Sequence, residues 1–111
     1  MYIMFYGHQR SCEPIKKYLE AYHVSVFENM EIFIQGLYEK HPDFVFVTMD
    51  NAAGMEGVIA AKKMYAELPV VWISNDRDFA AQAYRLNAAC FAVKPMSEEK
   101  ICRILKHCDL L

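Results

Sequence analysis

Two residues of this chain close apolar runs with chemistry that an anion would meet. Ser74 ends the run from Val70, and Lys94 follows the run Cys90 to Val93 and stands before Pro95, twenty residues further on. If both runs are strands of one sheet, a hydroxyl and an ammonium arrive together at its edge. His8 lies in a short polar stretch after the first apolar run; no second residue supports it as a proton or phosphate partner, so it reads as a surface histidine. The four cysteines, Cys12, Cys90, Cys102 and Cys108, include no Cys-x-x-Cys pair. Cys102, His107 and Cys108 form a local group with metal-ligand chemistry. Only residues three or four apart share a helix face, however, so one helix does not aim all three at a common centre. The cysteines read as structural thiols, and no metal site is expected.

The elements that must carry these residues follow from the hydrophobic pattern. Apolar runs alternate with helix-period segments along the whole sequence, the pattern of repeated βα units around a parallel sheet. Strands are expected at Tyr2 to Tyr6, Val24 to Glu28, Asp43 to Met49, Val70 to Ser74 and Cys90 to Val93. The first helix is expected from Ser11 to Tyr22, with Ser11 as N-cap and Pro14 in the first turn. The second runs from Met30 to Lys40 with Ile32, Phe33, Gly36 and Leu37 on one face, and Pro42 blocks its continuation. Three more are expected at Glu56 to Glu67, Asp78 to Leu86, and Glu98 to Cys108 with Ser97 as cap. The third strand is apolar on both faces and therefore central, whereas the short, alternating second strand suits an edge. No stretch reads as a linker, a repeat or a low-complexity segment. Residues 1–111 are expected to form one α/β domain, flavodoxin-like, a doubly wound (βα)5 parallel five-stranded sheet of order 2-1-3-4-5. Ligands of such sheets bind beyond the carboxyl ends of the central strands.

Composition narrows the function. With 111 residues, 55% of them hydrophobic, the chain has enough apolar material for a single core. A net charge of −2 and a pI near 6.1 lack the basic surplus of a nucleic-acid binder, so no direct contact with DNA or RNA is expected. The apolar run Phe44 to Met49 falls far short of the roughly 20 residues that cross a bilayer, and MYIMFYGHQR has neither the basic segment nor the cleavage site of a signal peptide. A cytoplasmic protein without membrane contact is expected.

The segment from Pro69 to Lys100, PVVWISNDRDFAAQAYRLNAACFAVKPMSEEK, resembles the second half of a response-regulator receiver domain of the CheY-like kind, and is most similar to receivers linked to LytTR DNA-binding domains. The resemblance implies a phosphorelay signalling role and no enzymatic activity of its own. Such receivers use an acidic pair after strand one to hold Mg²⁺, an Asp at the end of strand three as phosphoacceptor, a Thr or Ser after strand four, and a Lys before a cis proline after strand five. It therefore implies that Ser74 and Lys94 contact the phosphoryl group, that Pro95 follows a cis peptide bond, and that Phe91 occupies the aromatic switch position. The first half departs from the pattern. Tyr6, Gly7 and His8 stand where the acidic pair belongs. Counting from Pro42-Asp43 puts Thr48 at the acceptor position, counting back from the GMEG turn, Gly54 to Gly57, puts Met49 there, and Asp50 is the one carboxylate within reach. Ala52-Ala53 replaces the proline that usually follows.

These residues predict a receiver-like domain with a degenerate acidic site, without metal or cofactor, that acts by binding a protein partner or by dimerising. The surface of helix four, strand five and helix five is the expected contact, with Arg77, Arg85, Lys100, Arg103 and Lys106 beside Asp76, Asp78, Glu98, Glu99 and Asp109. The alternative keeps Asp50 as an acceptor phosphorylated by a histidine kinase, with Mg²⁺ as its cofactor. A third reading, a flavodoxin-like binder of FMN or another anion, would have to use GHQRSCE as its phosphate loop, although that stretch is not rich in Gly, Ser or Thr.

Overall fold

Five parallel strands, β1 (Tyr2–Tyr6), β2 (His23–Phe27), β3 (Phe44–Val47), β4 (Val70–Ser74) and β5 (Cys90–Val93), form one sheet in the order β2-β1-β3-β4-β5 in the computed structural model, which describes residues 1–111. Five helices connect or follow them: α1 (Gln9–Lys16), α2 (Met30–Lys40), α3 (Asn51–Met64), α4 (Ala80–Arg85) and α5 (Glu98–His107). This is the flavodoxin-like, doubly wound arrangement that the alternating pattern predicts. No helix is long and apolar enough to cross a membrane.

The period of two along each strand divides the core into two layers. Ile3, Phe5, Phe44, Phe46, Val71 and Ile73 meet Cys12, Ile15 and Leu19 of the α1 segment and Ile101, Ile104 and Leu105 of α5. On the other face Met4, Tyr6, Val45, Val47, Val70 and Trp72 meet Phe33 and Leu37 of α2, Val58 and Ala61 of α3, and Ala83 of α4. Every residue of β3 and β4 is buried, because helices cover both faces of these inner strands. Each large side chain taken fully out of water contributes about 1.5–3 kcal/mol, so this double layer supplies the main driving force of the fold.

Several boundaries differ from the sequence expectation, each for a local reason. α1 starts at Gln9, with His8 and not Ser11 at the N-cap, and ends at Lys16 instead of Tyr22. Pro14 lies inside it, where the missing N–H removes one helical hydrogen bond. The chain then tightens: Tyr18 N donates to Ile15 O and Leu19 N to Lys16 O, three-residue steps that close the helix. Ile32 is 56% exposed and does not share the inner face of α2, which is formed by Phe33, Gly36 and Leu37. β2 lies one residue earlier than expected, and β3 is trimmed at both ends. α3 begins at Asn51 instead of Glu56. Gly54 and Gly57 do not break it but lie buried within it, because packing outweighs their helical cost of about 1 kcal/mol each. The fourth helix opens with a 3-10 turn, Arg77–Phe79, for which Asp76 accepts the Asp78 N–H at 2.9 Å. α5 keeps its expected cap, Ser97 accepting from Lys100 N at 3.1 Å.

Candidate functional site

The carboxyl ends of β1, β3, β4 and β5 meet at one edge of the sheet, and each residue after them has a distinct fate. Tyr6, the last residue of β1, is 4% exposed; its ring stacks on Phe33 at 4.9 Å and rests on the bare backbone of Gly57. Gly7 continues the β1–β2 ladder, its N–H donating to Phe27 O at 2.9 Å. A Cβ at Gly7 would collide with the Thr48 Oγ1, because the side chain of Thr48 fills the space a side chain at Gly7 would need. Thr48 is buried, with its Oγ1 3.6 Å from the Cys12 Sγ. His8 turns outward, its Nδ1 3.0 Å from Glu28 Oε1, with more than half of each side chain in solvent.

The acceptor region is organised by Lys94. The Lys94–Pro95 peptide bond is cis. From β5 the Lys94 ammonium donates to Thr48 O at 2.7 Å and Asp50 Oδ1 at 2.8 Å, with Ser11 Oγ at 3.5 Å. Of the three residues that sequence counting offered, Thr48 and Met49 are buried, and Met49 belongs to the core. Asp50 alone brings a carboxylate to Lys94, and its side chain is 42% exposed. It stands at the N-cap of α3 yet caps nothing with its side chain, because the carboxylate is turned to the lysine. At the strand end Thr48 N and Met49 N both donate to Tyr6 O.

Ser74 is fully buried at the end of β4. Its Oγ accepts from Asp76 N at 3.1 Å and reaches Asn75 Oδ1 at 3.4 Å; its bonds stay within its own loop. Asn75 links this loop to the one after β3, accepting from Asn51 N and donating through Nδ2 to Asn51 Oδ1, both at 3.2 Å. Phe91 is half-buried and packs edge-on against Trp72, with ring centroids 5.4 Å apart; the other neighbour of Trp72 is Phe79, at 5.3 Å. Sequence reasoning missed Glu28, Asn51 and Asn75. Asn51 and Asn75 each follow a residue it did single out, and adjacency to Asp50 and Ser74 was the available signal.

Mg²⁺ requires hard oxygen ligands, usually carboxylates and waters. The positions after β1 offer a buried phenol, no side chain at all, and an imidazole. The Asp50 carboxylate is paired with Lys94. The residues at the end of β1 and just after it, Tyr6, Gly7 and His8, supply no carboxylate for Mg²⁺. Cys12, Cys90 and Cys108 are likewise not poised for chemistry: burial raises the thiol pKa of Cys12 and Cys90, and burial with Cys90 and Asp109 nearby pushes Cys108 up to about 11.

No known family profile matches this sequence, and no curated protein matches it. Solved structures do match. An orphan response regulator of H. pylori superposes with a TM-score of 0.79 at 18% identity, over 100% of this chain and 97% of its own. A response regulator from Thermotoga maritima gives 0.77 at 20% identity over 97% of each chain, and one from Desulfuromonas acetoxidans gives 0.75 at 22% identity over 99% and 98%. The chain has the receiver fold. Within that fold Ser74, Lys94 and the cis Pro95 lie together on the edge of the sheet, beside the β3–α3 loop with its carboxylate at Asp50.

Proposed function

We propose that this chain is a receiver-like signalling domain of a two-component system whose output is contact with a protein partner, without Mg²⁺-dependent phosphorylation. The observation that carries this reading is the filling of the positions after β1: Thr48 occupies the space at Gly7, and Tyr6 belongs to the core. Carboxylates crowded around an empty metal site repel one another, so replacing them relieves that repulsion. The partner surface we favour is the side of α4, β5 and α5. A groove of about 360 Å³ there has a floor of Phe91, Ala92 and Ile104 and a rim of Lys100, Arg103 and His107. Some of the charges expected to form this contact are engaged within the chain: Glu98 pairs with Lys17 at 2.9 Å, and Lys100 donates to Val93 O at 2.6 Å and Pro95 O at 3.2 Å. The face therefore suits an apolar partner surface, a second copy of this chain included, more than a lattice of salt bridges. Similarity to LytTR-linked receivers fits a DNA-binding neighbour that would carry the transcriptional output, with both in the cytoplasm.

One observation favours a second reading. The 2.8 Å contact of Lys94 with Asp50 puts an accessible carboxylate beside the lysine that would steady a phosphoryl group. Incubation with a small acyl phosphate and Mg²⁺, followed by intact-mass measurement, separates the two. Our reading predicts no phosphoryl adduct; an adduct that disappears in Asp50→Asn would establish the second.

A further inference from the structure

A module that does not switch by phosphorylation still has to hold the loops after β3, β4 and β5 in a defined arrangement, since these loops shape the surface a partner meets. Two bridges join them here without any bound group. Lys94, from the β5 end, reaches both the Thr48 carbonyl and the Asp50 carboxylate of the β3–α3 loop. Asn75, from the β4 end, pairs with Asn51 of that same loop through two hydrogen bonds. Asn51 has a φ of 58°, in the left-handed region that Asn tolerates better than most side-chain-bearing residues, and its N–H and side-chain oxygen both reach Asn75. Phe79, the last residue of the 3-10 turn before α4, packs on buried Trp72 of β4, which also meets the ring of Phe91 of β5. The Lys94 and Asn75 bridges thus join the chain after β3 to the ends of both β4 and β5.

We infer that Asn51 and Asn75 are positioning residues which, with the Lys94–Asp50 pair, clamp these loops in one standing arrangement, so that the domain presents its partner surface constitutively. The inference rests on the phosphorylation-independent reading above and specifies how that site is regulated: by being held in one state.

The test is amide hydrogen exchange and line width by NMR on the full chain, for the natural sequence, Asn75→Ala and Asn51→Gly, each with and without Mg²⁺ and beryllofluoride, a mimic of an aspartyl phosphate. Gly keeps the left-handed backbone and deletes only the side-chain acceptor. Asn75→Ala is expected to speed exchange of the Asn51 amide roughly 3- to 10-fold, the effect of one lost hydrogen bond, and to broaden residues 75–80. Asn51→Gly is expected to produce the broadening alone. Protection of β1 and β3 amides reports that each variant is folded. Unchanged Asn51 exchange and sharp loop signals in Asn75→Ala, with no response to beryllofluoride, would overturn the clamp and leave the proposed function standing. Loops that are broad in the natural sequence and sharpen only with Mg²⁺ and beryllofluoride would overturn both.

Discussion

Gly7 and Thr48 make a matched pair: the Thr48 hydroxyl takes the space that a side chain at Gly7 would enter. The register that puts Tyr6 beside Val47 brings Gly7 next to Thr48, whose hydroxyl would have to move to admit a side chain at Gly7. Restoring an acid alone is then not a repair. Gly7→Asp is expected to cost about 1–3 kcal/mol, as overpacking of a filled site does, because neither the carboxylate nor Thr48 has anywhere to go. Adding Thr48→Ala should recover part of that loss, and a double-mutant cycle by urea denaturation would measure the coupling; a double-variant loss equal to the sum of the two single losses would show that the two positions do not share space. The sequence displayed the missing acids at Tyr6, Gly7 and His8, but not what replaced them. Neither the Thr48–Gly7 packing nor the Glu28–His8 contact follows from residue order, since both join segments far apart in the chain.

Strands and helices were easier to read than the loops between them. β4 and β5 run over the expected residues because β4 is a short apolar run between Pro69 and Asn75 and β5 closes at Lys94-Pro95, and the Ser97 cap marks the start of α5 unambiguously. The errors fall where tertiary packing overrides local preference. α3 extends through two glycines because their bare backbone lets the helix lie close to its neighbours, Gly57 against the Tyr6 ring of β1 and Gly54 against the Met49 carbonyl and the Trp72 indole of β4. Gly57→Ala would place a methyl 2.5 Å from that ring, so despite the better helix propensity of Ala it should lower stability by about 1–3 kcal/mol. Thermal unfolding of Gly57→Ala beside an exposed control such as Glu56→Ala would check this; a stabilised Gly57→Ala would mean that Tyr6 moves freely aside. Asp50 belongs to this scale as well. Counting along the chain after β3 was ambiguous, and only the helix start at Asn51 fixes the carboxylate beside Lys94.

The fold needs no acid to hold it: its stability comes from two apolar layers on the faces of the sheet, and the polar edge is free to change. In this chain that edge has become self-satisfied. Lys94 is matched by Asp50, Asn51 by Asn75, and Thr48 fills the place an acid side chain would take. On the function proposed above, a receiver fold built this way would offer a protein surface that does not wait for a metal ion or a phosphoryl group. The most direct measurement is the amide NMR spectrum of the whole chain titrated with Mg²⁺ and then with Mg²⁺ plus beryllofluoride. We predict superimposable spectra throughout; shifts centred on Asp50, Ser74 and Lys94 that disappear in Asp50→Asn would contradict the account and make Asp50 a working phosphoacceptor.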